Sequence, residues 1–101
     1  MIVYNISIKI SPEIEKEWIQ WQREEHIPDI LKTGLFSDFK FYRLLEQDQE
    51  EGVTFVVQYF SPSVANYNRY IEEFAPLFRQ KTFERWGDKF IAFRTVMEVV
   101  Q

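Results

Sequence analysis

The only histidine of the 101 residues, His26, sits in the run Glu25-His26-Ile27-Pro28. It is the one side chain here whose ordinary pKa lies near neutrality, so it is the first candidate for proton transfer. If it serves a ligand cleft, Glu25 or another acid is expected within hydrogen-bonding reach, holding the imidazolium and raising its pKa. Glu25 itself must find such a partner or escape at the helix end. A competing reading makes His26 a cation at a helix C-terminus, favoured there by the helix dipole and unconnected with any ligand. Four further polar side chains, Asn5, Arg43, Gln58 and Arg94, interrupt otherwise apolar segments. An apolar cavity with a few convergent polar groups is how small-molecule sites are built. Arginine among aromatics suits a carboxylate or a planar anion. The alternative is that these groups pair with one another across an interface.

Other chemistries are excluded by composition. Cysteine is absent and histidine single, which removes disulfides, thiolate nucleophiles and Cys- or His-rich metal clusters. No P-loop, GxGxxG or Ser-His-Asp signature is present. The acids between Glu46 and Glu51 lack the spacing of a calcium loop. Twelve Lys and Arg against sixteen Asp and Glu leave a net charge of −4. That balance argues against nucleic acid and anionic membrane as partners. No apolar run approaches the ~18 residues that cross a bilayer, and Met1 leads straight into an alternating segment unlike a signal peptide. The cytoplasm is the expected compartment.

The elements that must position these residues follow from periodicity. Ile2, Tyr4, Ile6, Ile8 and Ile10 alternate with Val3, Asn5, Ser7 and Lys9, which predicts a strand. Ser11-Pro12 opens a helix on which Ile14, Trp18 and Trp21 form one stripe, with Glu25 falling between the two tryptophans. The helix should falter near His26, because Pro28 disfavours helical geometry at Ile27. One short turn closed by Gly34 follows, then a strand from Phe36 to Leu45, a polar hairpin loop from Glu46 to Gly52, and a strand from Val53 to Phe60. Ser61-Pro62-Ser63 opens a second helix bearing Val64, Tyr67, Tyr70, Ile71 and Phe74. Pro76 interrupts it, a less regular helical piece ends at Gly87-Asp88, and a last strand covers Lys89 to Val100. The order βαββαβ defines a single α+β, ferredoxin-like domain over residues 1–101. It predicts a four-stranded antiparallel sheet, order 4-1-3-2, with two main helices on one face.

Two helices cover only one face, yet the third and fourth strands are apolar on both. An antiparallel sheet with one wet face would alternate apolar with polar. The uncovered face therefore predicts a homodimer packed sheet to sheet, with Val96 in the interface and Asn5, Arg43, Gln58 and Arg94 inside it.

The strings Glu25-His26-Ile27-Pro28-Asp29-Ile30-Leu31-Lys32-Thr33-Gly34-Leu35-Phe36, Glu73-Phe74-Ala75-Pro76 and Asp88-Lys89-Phe90-Ile91-Ala92-Phe93-Arg94-Thr95 resemble the family catalogued as domain of unknown function 4286. So do Gly52-Val53-Thr54 and Gln58-Tyr59-Phe60, and the resemblance spans essentially the whole chain. The family lends no activity. The layout is also similar to the dimeric α/β-barrel superfamily, whose members include cofactor-less monooxygenases, haem-degrading enzymes, isomerases and effector modules. That resemblance implies a barrel closed between two sheets. The His-X-Pro string is similar to that of superfamily enzymes whose histidine faces a cleft, and Asn5 resembles the first-strand asparagine of the monooxygenases. Haem degraders also need a histidine on the second helix, and Val64 to Phe74 contains none. The expectation is a small homodimer that needs no cofactor and binds a partly apolar or anionic ligand in the intersubunit barrel, as enzyme or sensor. The alternative is a structural or interaction protein whose barrel is filled by Phe39, Phe41, Phe60 and Phe90.

Overall fold

The computed structural model describes residues 1–48 and 52–101. Strand β1 is Ile2–Ile10, followed by a 3-10 turn Pro12–Ile14, helix α1 Glu15–Trp21, a π-helical turn Gln22–His26 and helix α2 Ile27–Leu31. Strands β2 Asp38–Arg43 and β3 Val53–Ser61 come next, then α3 Val64–Glu73, α4 Ala75–Trp86 and β4 Phe90–Glu98. The sheet is antiparallel with order β2-β3-β1-β4. This is the expected topology.

Alternation in β1 turns its isoleucines and Tyr4 toward the helices, where they are buried. Val53, Phe55, Val57 and Tyr59 of β3 share that face. Trp18 of α1, with no exposed surface, meets Phe55 at 5.0 Å between ring centroids. Tyr70 of α3 packs on Tyr4 at 5.8 Å and on Phe36 at 4.9 Å. Aromatic rings thus supply about half of the buried residues between helices and sheet, which is how a chain this short fills a core. Burial pushes the phenols of Tyr59 and Tyr70 up, so both stay protonated at neutral pH.

The end of the first helix differs from expectation. Ile27 keeps helical dihedrals (φ −61°, ψ −48°) despite preceding a proline. The chain accommodates Pro28 by widening the turn before it rather than by breaking. A proline ring crowds the carbonyl four residues earlier, here Glu24, and has no N–H to offer it. A π turn relieves that crowding.

The polar caps are modest. Ser63 accepts a hydrogen bond from the Asn66 backbone N–H at 3.1 Å and so caps α3, whereas the Ser11 side chain makes no such bond. Phe74, off helical geometry at φ −120°, separates α3 from α4. The latter is a regular helix of 12 residues rather than an irregular piece. Gly87 ends α4 at φ 59°, a conformation that costs a side chain strain. At the β2–β3 end, Gln47 takes the Thr54 N–H on its Oε1 at 2.7 Å. Residues 49–51 of the expected hairpin loop lie outside the described residues.

Candidate functional site

Register decides which face each candidate residue serves, and it divides them. Asn5 pairs with Gln58 across β1 and β3, and the two side chains hydrogen-bond, Gln58 Nε2 donating to Asn5 Oδ1 at 3.2 Å. Both lie on the uncovered face. Arg94 pairs with Ile6 and Arg43 with Phe55, which places both arginines on the helix side. The expectation that all four line one intersubunit cavity is therefore corrected. One residue along a strand changes the face, and apolar content on both faces of β4 had concealed which was which.

Arg43 is already engaged. Its Nη2 lies 3.1 Å from Glu15 Oε2, and its guanidinium sits 4.8 Å over the Phe55 ring. Val96 pairs with Tyr4, on the helix side and not in a sheet-to-sheet interface. Phe39, Phe41 and Phe90 likewise oppose Tyr59, Val57 and Ile10, whereas Phe60 pairs with Val3 on the uncovered face. They cannot pack together as one barrel plug.

Between the sheet and the helices lies an internal space of about 30 Å³. A water needs roughly 10–15 Å³ of such volume, so the space holds one or two. Its floor is Ile6 and Ile8 of β1, Val57 and Tyr59 of β3, and Ala92 of β4. Its polar groups are Gln22, His26, Thr82 and Arg94. The π turn begins at Gln22 and ends at His26, so the local widening and the cavity wall coincide. Such turns recur at functional sites.

Gln22 was not singled out from the sequence. It lies one turn beyond Trp18 on the apolar stripe, and a polar residue there was the available signal. Its side chain is 2% exposed, and its Oε1 is buried without a hydrogen-bond partner. An orphaned buried acceptor costs about 1–3 kcal/mol, a cost proteins seldom bear without use. Thr82 is different, because its hydroxyl donates to the Phe78 carbonyl at 2.8 Å.

His26 is a wall rather than a cap. Its ring stacks on Trp21 at 4.5 Å and 17° and meets Phe78 edge-on at 6.1 Å. Glu25 is exposed, because the wider turn swings it away from the tryptophans. No acid accepts a hydrogen bond from His26 among the described residues. Burial pushes its pKa down to about 4, Asp29 opposes that and Arg94 adds to it. The expected imidazolium is thus corrected to a neutral ring at pH 7, and the dipole-cap reading loses its cation. Outside this ring is a hollow of about 330 Å³ bordered by Glu25, Asp29, Phe78 and Lys81. His26 borders both spaces.

Sheet order and helix placement define a ferredoxin-like α+β protein, and the solved structures agree. The chain belongs to the family described as Domain of unknown function (DUF4286), whose model matches residues 1–100. No curated protein matches it in sequence. Among solved structures it is similar to an antibiotic biosynthesis monooxygenase, with TM-score 0.69, 14% identity and complete coverage of both chains. It is also similar to a dimeric ferredoxin-like protein from an uncultured marine organism (TM-score 0.67, 12% identity, covering 99% of this chain and 96% of that one). A third is the hydroxynitrile lyase of Passiflora edulis, at TM-score 0.62 and 16% identity, covering 99% and 96%. An oxygenase and a lyase on one frame mean that the fold leaves the reaction open. No helix among the described residues is long and apolar enough to cross a membrane.

Proposed function

We propose that this chain is a homodimer that binds a small, partly apolar ligand in each protomer, between the sheet and the helices, as a cofactor-free enzyme or a sensor. The observation that carries this reading is the unpaired Gln22 Oε1 beside a cavity floored by aliphatic side chains. A donor supplied by a ligand would satisfy it. His26, neutral at pH 7, would be the group able to accept a proton from that ligand. Its neighbour Arg94 would favour negative charge developing there.

Self-association rests on the uncovered face. Phe93 is 67% exposed and Ile91 59%, both on the side of β4 that faces away from the helices. The dimeric ferredoxin-like neighbour covers the same frame. A second copy packed on this face would bury those rings around the Asn5–Gln58 pair, which already satisfies part of its own hydrogen bonding.

The ligand reading is tested by screening small alcohols, acids and amides while following the Ile6 and Ile8 methyl resonances of the protein. Saturable shifts of both methyls are expected for at least the small alcohols. Methyls that no compound moves would count against a ligand site and favour a purely structural role.

A further inference from the structure

We infer that the site takes a short hydroxy acid: a monocarboxylate with an aliphatic body and a hydroxyl at its far end. This rests on the ligand reading above and adds the chemistry at each end of the cavity.

At the inner end, Gln22 Oε1 is an acceptor with nothing to accept. It stands beside Trp18, also fully buried and lining the same space. The group that belongs there is a neutral donor, because a cation would be stripped of water far from any carboxylate. A hydroxyl fits the available room.

At the outer end, Arg94 is exposed on the edge strand β4 while still lining the cavity. Its guanidinium acts electrostatically on both His26 and Tyr70, which places it under the helices. Among the described residues no carboxylate lies within ion-pair distance of it. Glu98, four residues further along the same strand face, is on the order of 13 Å away. Asp29 is taken up with Lys32 at 4.0 Å, and Glu15 with Arg43. A planar fork of donors without an acid, at the mouth of an apolar cavity, selects a carboxylate.

Between the two ends the floor is Ile6, Ile8, Val57 and Ala92, while His26 and Thr82, whose hydroxyl already donates to the Phe78 carbonyl, stand on the wall. The aliphatic floor sets an aliphatic body for the ligand, with the His26 ring on the wall beside it. The internal volume of about 30 Å³ admits the hydroxyl and the first carbons, and the rest of the chain lies outward toward Arg94.

The test uses three probes that separate the two ends: 4-hydroxybutyrate, butyrate and 1-butanol, each titrated into the intact protein by NMR. The variants are Gln22→Met and Arg94→Met. 4-Hydroxybutyrate is expected to bind most tightly. Arg94→Met should weaken both acids about fivefold, the scale of a partly exposed charge pair, and leave the alcohol unchanged. Gln22→Met should weaken the hydroxy acid and the alcohol about tenfold and leave butyrate unchanged. Should Gln22→Met fail to fold, the ratio of 4-hydroxybutyrate to butyrate affinity in the unmodified protein decides the inner end. Equal affinity of all three probes, or acids indifferent to Arg94→Met, would overturn the hydroxy-acid assignment while 1-butanol still moves the Ile6 and Ile8 methyls. If none of the three moves those methyls, the ligand reading itself falls.

Discussion

His26 and Gln22 are one turn apart on the cavity wall, Gln22 buried and His26 partly so. For His26 the consequence is a pH dependence of stability. The unfolded chain binds the proton near pH 6.5 and the folded chain only near 4. Stability is therefore complete above pH 6.5 and is lost as the pH falls toward 4, because the proton pulls toward the unfolded state. The shift corresponds to on the order of 3 kcal/mol as an upper bound. His26→Phe, which preserves the stack on Trp21, should remove this component. Urea unfolding of both proteins at pH 7 and pH 4.5 checks it: the gap between the two pH values should be smaller in the variant. Equal gaps would show that the ring is not buried neutral. For Gln22 the expectation has the opposite sign to most core changes. Gln22→Leu removes an orphaned acceptor and keeps the volume, so the ligand-free protein should be more stable by about 1 kcal/mol. A loss of stability on chemical denaturation would mean that Oε1 has a partner after all.

At the scale of elements, the π turn joins sequence to site. Pro28 demands extra width at Glu24, and that width places Gln22 and His26 on the cavity wall while releasing Glu25 to solvent. Pro28→Ala restores an N–H to the helix and removes the reason for the wide turn. The His26 ring should then leave its stack on Trp21, and its pKa, followed by NMR titration, should move up from about 4 toward 6.5. An unmoved pKa would show that tertiary packing, not proline, holds the turn.

Much of this layer was legible from the chain. The alternation of β1, the proline-marked helix start and the strand order all follow from spacing, because β1 and the first helix each carry one clearly apolar stripe and turn residues separate the elements. The faces of β2 and β4 were not legible. β4 is an edge strand with apolar residues on each side, and on β2 Arg43 shares the face of Phe39 and Phe41, so only pairing to β3 and β1 reveals that Arg43 and Arg94 point under the helices while Asn5 and Gln58 point away. Glu25 escapes to solvent, one of the two outcomes that its place between the tryptophans left open. A wheel drawn at a constant angle per residue cannot contain a π turn, so it could not show which outcome holds.

At the scale of the whole molecule, helices cover one sheet face and leave the other with Phe93, Ile91 and the Asn5–Gln58 pair at its surface. Patches of this kind mark interfaces. Light scattering of the 12.3 kDa chain should give twice that mass at micromolar concentration. Phe93→Asp should restore the monomer, since it places an unpaired charge in the contact. Val96→Asp, on the other side of the strand, should leave the dimer intact. A monomeric unmodified protein would contradict the assembly.

The central claim is that the space beneath the helices exists to satisfy Gln22 through a bound molecule. The most direct measurement is a crystal structure of the protein at a resolution that shows ordered water. The account predicts density inside the cavity, a water or a small molecule, at about 2.7–3.2 Å from Gln22 Oε1, with His26 still stacked on Trp21. A Gln22 amide turned to a protein donor, with the cavity closed around it by Ile6, Ile8 and Val57, would contradict it.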